Sequence, residues 1–215
     1  MFGAIIFDFD GVLADTMEDN FKAWRKALAR YEKKLTVSEY FPLEGLSLLE
    51  IAKKFCREKG IDGKFAAKLV VEKERNYANN NHFRFFQGAQ NLIDRLFKKK
   101  VKLAIVSAGS EKRLRMTVPG DFLKKFNVII YGETLRRGKP FPDSYQEACK
   151  RLSIKPDEAL VVENSPLGIA AAKSAGCYCV AIASTLDRRF LQNADKIINS
   201  FIDLKQIEPI KSLIS

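Results

Sequence analysis

The stretch Ala4-Ile5-Ile6-Phe7-Asp8-Phe9-Asp10-Gly11 constrains this chain more than any other. An apolar run rich in β-branched and aromatic residues reads as a buried strand. Two carboxylates break into its far end, where an acid needs a cation or a set of hydrogen bonds. Gly11 follows at once and lets the backbone turn close to a ligand. Such a strand presents Asp8 and Asp10 at its C-terminal edge, the edge where open α/β sheets bind ligands. The plainer reading is a satisfied acid pair that caps a turn.

Beyond Thr16 the period becomes helical. Phe21, Trp24, Leu28 and Tyr31 mark one amphipathic helix over 19–33. Ser47 is placed to cap a second helix that runs to Lys59 and stops at Gly60. Asp62 opens a third that reaches Tyr77, and Asn79-Asn80-Asn81 reads as a breaker. From Gly88 onward helices and strands alternate, with strands expected at 101–106, 128–131, 159–162, 178–183 and, at an edge, 196–198. That alternation implies a parallel sheet covered on both faces. The expected organisation is a three-layer α/β, Rossmann-like core formed by residues 1–16 and 83–215, with a small all-helical cap inserted at 17–82.

With 215 residues and 47% apolar content, the chain can bury a sizeable core. No apolar run is long enough to span a membrane, and the start lacks a basic leader, which points to the cytoplasm. Cys56, Cys149, Cys177 and Cys179 fit buried free thiols in a reducing compartment. The net charge of +11 raises the question of nucleic acid. No basic run is interleaved with aromatics, so a nucleic-acid partner is not expected. A positive field also draws small anionic substrates towards a cleft.

Four polar clusters follow strands: Asp8 and Asp10; Ser107; Gly138-Lys139-Pro140; and Glu163-Asn164. Parallel strands place their C-terminal ends on one rim, so these clusters are expected to converge. Together they suggest phosphoryl transfer: a carboxylate nucleophile, oxygen ligands for Mg²⁺, a lysine for phosphate, and the amides after Ser107 as a small anion nest. Taken singly, Ser107 can cap the next helix, Lys139 can be a loop residue, and Glu163-Asn164 can be a turn pair.

Read in order, these clusters resemble the four signatures of the haloacid dehalogenase superfamily. Asp8-Phe9-Asp10-Gly11-Val12-Leu13-Ala14-Asp15-Thr16 is similar to the first, Ser107 to the second, Lys139 in Gly-Lys-Pro to the third, and Val162-Glu163-Asn164-Ser165-Pro166-Leu167-Gly168 to the fourth. The helical block resembles the small cap of the β-phosphoglucomutase and phosphoglycolate phosphatase branch. The resemblance implies roles. Asp8 would be the nucleophile, and Asp10 the general acid and then base, with its carbonyl on Mg²⁺. Ser107, the Ala108 amide, Gly11 and Lys139 would hold phosphate, and Lys139 would also serve catalysis. Asp8, Asp10, Glu163 and Asn164 would hold the metal. A second Asp at position 10 suits phosphate rather than halide leaving groups.

Three positions depart from the pattern. Asn164 stands where most relatives have Asp, which removes one negative charge from the metal site. Leu48 and Leu49 follow Gly45-Leu46-Ser47 where a mutase cap carries a basic residue for a second phosphate. Asn20 replaces a histidine usual in the mutase cap. The cap changes favour a hydrolase. The expectation is a Mg²⁺-dependent phosphatase of a small phosphorylated metabolite, such as a sugar phosphate, acting through an aspartyl phosphate. A sugar-phosphate mutase and a non-catalytic binding or regulatory protein of the same fold are the alternatives. His82 reads as a hinge or solvent residue with no partner.

Overall fold

The computed structural model describes residues 2–208 and 210–214. Six parallel strands form one sheet: β1 Ala4–Asp8, β2 Lys102–Ser107, β3 Val128–Tyr131, β4 Ala159–Glu163, β5 Tyr178–Ile182 and β6 Lys196–Ile198. Their spatial order is β3-β2-β1-β4-β5-β6. The chain therefore moves outward from β1 to β3, then returns to the other side of β1 for β4. The β1/β4 boundary is the switch point, where the connections diverge and leave a crevice at the strand ends. In register, Asp8 lies opposite Val106, and Phe7 opposite Val162.

Eleven helices accompany the sheet among the described residues: α1 Met17–Ala29, α2 Val37–Tyr40, α3 Leu48–Lys59, α4 Ala66–Asn80, α5 Ala89–Lys98, α6 Glu111–Thr117, α7 Gly120–Leu123, α8 Asp143–Leu152, α9 Pro166–Ala175, α10 Phe201–Leu204 and α11 Ile210–Ile214. Alternation along β1 assigns its side chains to two layers. Ile5 and Phe7 pack with Leu92, Leu96, Leu114, Phe122, Phe201 and Leu204 from α5, α6, α7 and α10. Ala4 and Ile6 pack on the other face with Tyr145, Ala148, Ile169 and Ala172 from α8 and α9. Asp8 shares the parity of Ala4 and Ile6, which directs it towards α8.

The segment from α1 to α4 contains no strand and has its own apolar cluster, built on Phe21, Trp24, Leu28, Phe55 and Leu69. Trp24 meets Phe55 edge-on, with ring centroids 5.5 Å apart, and each such fully buried aromatic contributes about 1.5–3 kcal/mol. The two crossings into this segment run side by side. The Asp15 amide bonds the Arg84 carbonyl at 3.0 Å, and the Phe86 amide bonds Leu13 at 3.1 Å.

Several boundaries differ from the sequence expectation for local reasons. Helix α1 stops at Ala29, because Glu32 takes a positive φ of 56° and turns the chain before Lys33. Asp62 caps a 3-10 turn, Gly63–Phe65, before α4, and α4 continues through Asn79 to Asn80, so the asparagine run ends a helix rather than breaking it early. Asn80 and Asn81 turn their amides back onto the carbonyls of Asn76 and Tyr77, which satisfies the last turn. The short helix α2 and the 3-10 turn over 41–43 were not legible from periodicity. By contrast, Ser47 caps α3 as expected, in a reciprocal box with Glu50, and Gly60 closes it at φ 66°. The four cysteines are buried and free. No described helix is long and apolar enough to cross a membrane.

Candidate active site

Asp8 ends β1 and is 6% exposed. Lys139, 3% exposed, comes from the loop before α8 and bridges two strand ends. Its Nζ donates to Asp8 Oδ1 at 2.5 Å and to Glu163 Oε1 at 2.5 Å. Glu163 is fully buried at the end of β4 and saturated with donors. Oε1 also accepts from the Tyr145 hydroxyl at 2.7 Å. Oε2 accepts from the amides of Asn164 and Ser165 at 2.9 and 3.1 Å, and from the Ser165 hydroxyl at 3.1 Å. Helix α9 leaves room for this carboxylate only because residue 168 is glycine. A Cβ there would lie 1.8 Å from Glu163 Oε1.

These contacts set the protonation. Burial pushes Asp8 well above the ordinary carboxylate range, Lys139 opposes the push, and the charge of Glu163 adds to it. Burial acts on Glu163 in the same direction, but Lys139 and the ring of donors outweigh it and hold the group low. Lys139 is held protonated by Asp8 and Glu163 against the effect of its own burial. One lysine thus serves two buried carboxylates, so ionising Asp8 leaves the set one positive charge short of neutral.

Asp10 sits in a different pairing from the one its expected role requires. Arg113 of α6 grips both of its oxygens: Nη1 reaches Oδ1 at 2.9 Å, and Nη2 donates to Oδ2. Thr16 donates to Oδ1 at 2.5 Å, and Asn20 at 3.2 Å. Burial would raise the Asp10 pKa, yet Arg113 outweighs it and keeps the carboxyl below the usual range. In this arrangement Asp10 is an ionised carboxylate with no proton to give. Gly109 makes the grip possible, since a Cβ there would lie 2.0 Å from Arg113 Nη2. From Arg113 the network continues across to the helical segment. Asn20 Oδ1 accepts from Arg113 at 3.2 Å and from Lys73 at 2.7 Å. Lys73 also bonds Glu74, whose other oxygen takes the Ser110 hydroxyl at 3.0 Å.

The remaining expected residues gather at the same rim. Ser107 ends β2, the strand beside β1, and its hydroxyl accepts the Gly109 amide at 3.0 Å. Ser110, not Ser107, caps α6. Ala108 follows Ser107 and borders, with Ser47, Leu48, Tyr77, Arg113 and Gly138, a cleft of about 990 Å³ between the helical segment and the sheet rim. Gly11 has φ 83° and packs against Asn164; a Cβ would lie 2.1 Å from the Asn164 amide nitrogen. Asn164 points that nitrogen at the Thr185 hydroxyl, 2.9 Å away, so its side-chain oxygen faces the other way.

The metal expectation divides. Asp8 and Asn164 stand at the adjoining ends of β1 and β4, and carboxylate, amide and main-chain oxygens are the donor type that suits Mg²⁺. The raised Asp8 pKa means that a cation at this crevice would favour the ionised carboxylate. Glu163 was expected among the ligands, but both its oxygens are taken by protein donors. Among the described residues no group of three His, Cys, Asp or Glu side chains is placed to share an ion.

Arg113, Lys73, Tyr145 and Thr185 were missed from sequence. Arg113 and Lys73 lie in charged helical stretches that read as solvated faces; Gly109 was the single nearby signal. His82 was expected to have no partner, yet its amide bonds Asp19 at 2.6 Å and its ring Nδ1 lies 3.4 Å from the same carboxylate, with the side chain 83% exposed.

The family model for haloacid dehalogenase-like hydrolases matches residues 5–182. The chain belongs to this family. Among its curated relatives is hexitol phosphatase A of Escherichia coli K12, 30% identical over 96% of this chain and 93% of that protein. The phosphorylated carbohydrates phosphatase of Thermotoga maritima is 31% identical over 80% and 81% of the two chains. The solved β-phosphoglucomutase of Clostridium difficile superposes with a TM-score of 0.84 over 100% of this chain and 97% of that one. Its 23% identity speaks for the haloacid dehalogenase-like fold alone.

Proposed function

We propose that this protein hydrolyses the phosphate monoester of a small polyol or sugar, with Asp8 as the nucleophile. It is a phosphatase of small phosphorylated metabolites by its family and its relatives. The observation that carries the assignment of residues is the Asp8–Lys139–Glu163 bridge across the β1/β4 switch point. A buried carboxylate beside a fixed cation supports this reading, since such a pair suits a docked phosphate.

In the first step an Asp8 oxygen forms a bond to phosphorus as the bond to the leaving oxygen breaks, and a proton from Asp10 neutralises the alkoxide. In the second step water attacks phosphorus, Asp10 takes its proton, and the Asp8–phosphate bond breaks to release inorganic phosphate. Lys139, Ser107 and the Ala108 amide hold phosphate oxygens, and Gly11 gives the turn its close approach. Asp8, the Asp10 carbonyl and Asn164 would hold Mg²⁺, which when bound supplies positive charge against the phosphate. Glu163 acts through Lys139, which it aims and keeps charged.

Asp10 can perform this work only when Arg113 releases it. The bridge from Arg113 through Asn20 and Lys73 joins α6 to α1 and α4, so a shift of the helical segment 17–82 would change the partners of Arg113. A mutase needs a cation at the cap turn for a second phosphate, and Leu48 and Leu49 occupy that place. The test is phosphate release from a panel of polyol and sugar phosphates with and without Mg²⁺. Release from at least one ester, dependent on Asp8, is expected; a purified protein inactive on all of them contradicts the reading.

A further inference from the structure

The cleft between the helical segment and the sheet rim changes character along its length. Ala108 and Gly138 border it, each one residue from a proposed phosphate ligand, Ser107 or Lys139. Gly132 packs on this part, since a Cβ there would lie 2.4 Å from the Ala108 carbonyl oxygen. Gly138 sits against the start of α3, where a Cβ would lie 3.6 Å from the Ser47 amide nitrogen. The cleft is therefore continuous with the proposed phosphate seat. The polar side chains nearby are tied to one another: Arg113 holds Asp10, and Glu74 holds Lys73 and Ser110.

One helical turn away the wall is apolar. Met116 follows Arg113 by three residues on α6, and Val71 precedes Glu74 by three on α4, so each lies about 5 Å along its helix from a member of the polar network. Both line the cleft, with Leu49 from the first turn of α3 and Leu135 from the loop before α8. Met116 is 64% exposed, Val71 67% and Leu49 43%. Three of the eight large apolar side chains left exposed among the described residues thus border one space, from three separate helices. Scattered exposure is ordinary, but an apolar wall inside a cleft marks a ligand surface. The uncommitted charge beside it is positive. Glu50, Glu74 and Glu133 are taken up by Ser47, by Lys73 with Ser110, and by the Glu111 amide. Arg75 and Arg136 border the same cleft and make no hydrogen bond or ion pair among the described residues.

We propose that this wall seats an aromatic group at the far end of the substrate's alcohol, so that the preferred ester is a phosphorylated sugar or polyol bearing an aromatic ring. The proposal rests on the phosphatase reading above and narrows its substrate class. With phosphate held at Ser107 and Lys139, the sugar hydroxyls lie beside Arg113 and Glu74, and a ring attached one sugar unit away reaches Leu49, Val71 and Met116. An aromatic ring suits both parts of this surface. It buries apolar area against leucine, valine and the methionine thioether. Its π-face attracts an unpaired guanidinium such as that of Arg75 or Arg136. The cleft of about 990 Å³ stands at the upper end of the range for drug-sized ligands, which leaves room for such an ester. A bare polyol phosphate leaves the apolar wall in water.

The experiment compares methyl and phenyl glucoside 6-phosphate, which differ only in the group at the far end of one sugar. The parent protein is expected to favour the phenyl ester by about tenfold or more in kcat/KM, mostly through KM. Equal use of the two esters overturns the proposal. Replacing Leu49 and Met116 together by Ser should bring the preference down to about threefold or less; both side chains are exposed, so the fold should hold. A loss of equal size with both esters is what a general defect would give, and it overturns the proposal. Should that variant fold poorly, R75Q with R136Q tests the cationic side and should cut the preference about threefold; an undiminished preference overturns the proposal. Cyclohexyl glucoside 6-phosphate should fall below the phenyl ester, and equal use of it overturns the aromatic assignment. A hexose bisphosphate used better than the phenyl ester would give the cleft to a second anion and overturn the proposal. In p-nitrophenyl phosphate the ring sits on the ester oxygen itself, so this ester checks the chemistry alone. If it is cleaved in an Asp8-dependent way while the phenyl glucoside ester gains nothing over the methyl one, only the aromatic seat is misassigned. If the parent cleaves none of these esters, the phosphatase reading falls, and this proposal with it.

Discussion

The guanidinium of Arg113 spans both carboxylate oxygens of Asp10, two residues beyond the proposed nucleophile and 103 positions away in sequence. The pair is buried on both sides and holds Asp10, the proposed acid-base residue, in its ionised form. It also ties the sheet rim to the helical segment through Asn20 and Lys73. Release of this grip is therefore part of any turnover that uses Asp10 as a proton donor.

Replacing Arg113 by Gln leaves Asp10 buried beside Thr16 without its cation. A loss of about 3–5 kcal/mol in stability at neutral pH is expected from urea unfolding. The pH dependence has a definite sign. Asp10 has a folded-state pKa below its unfolded value, so its contribution is full above the ordinary aspartate pKa and is lost as pH falls through the lowered folded value. The gap between parent and R113Q should close over that acid range. The alkaline limb of the kcat/KM profile should move upward in R113Q, because Asp10, the proton donor of the first step, then holds its proton to higher pH.

Gly168→Ala tests the seating of Glu163. The added methyl would meet a carboxylate held by five donors, which cannot step aside without abandoning Lys139. A cost of about 1–3 kcal/mol is expected in thermal or urea unfolding, together with a fall in kcat. An unchanged kcat would separate Glu163 from the reaction.

Tyr145→Phe removes one donor from Glu163 Oε1 and leaves Lys139 on the same oxygen. About 1 kcal/mol of stability should be lost, with kcat/KM close to the parent. A loss of activity as large as that of Lys139→Ala would show that the hydroxyl does more than support Glu163.

Asn164→Asp adds a carboxylate at the end of β4, across the switch point from Asp8. The Mg²⁺ concentration giving half-maximal phosphate release should fall, and removal of the ion with a chelator should abolish release in both proteins. An unaltered titration in N164D would remove Asn164 from the metal site.

The sheet and the rim were legible because each rests on local chemistry. The run Ala4–Phe7 is apolar on both sides, Ser47 has Glu50 three residues on, and Gly60 and Gly176 stand where helices need a left-handed residue. Asp8, Ser107 and Glu163 each end a strand, so parallel pairing alone brings them to one edge, which Lys139 reaches from the loop before α8. What stayed hidden depends on side chains that cross between elements. Arg113 and Lys73 look like solvent-facing helix residues until tertiary packing closes over them. Glu163 has the right residue type for a metal ligand, and only its five donors show that its oxygens are committed elsewhere. The end of α1 turns on Glu32 adopting a conformation that nothing in its neighbours announces.

The most direct test is to quench the purified protein in acid during turnover of p-nitrophenyl phosphate with Mg²⁺ and to weigh its peptides. The account predicts one added phosphoryl group on the peptide bearing Asp8, and loss of both that mass and phosphate release in Asp8→Asn. Phosphate release that persists in Asp8→Asn, or a phosphoryl group on a different residue, would contradict it.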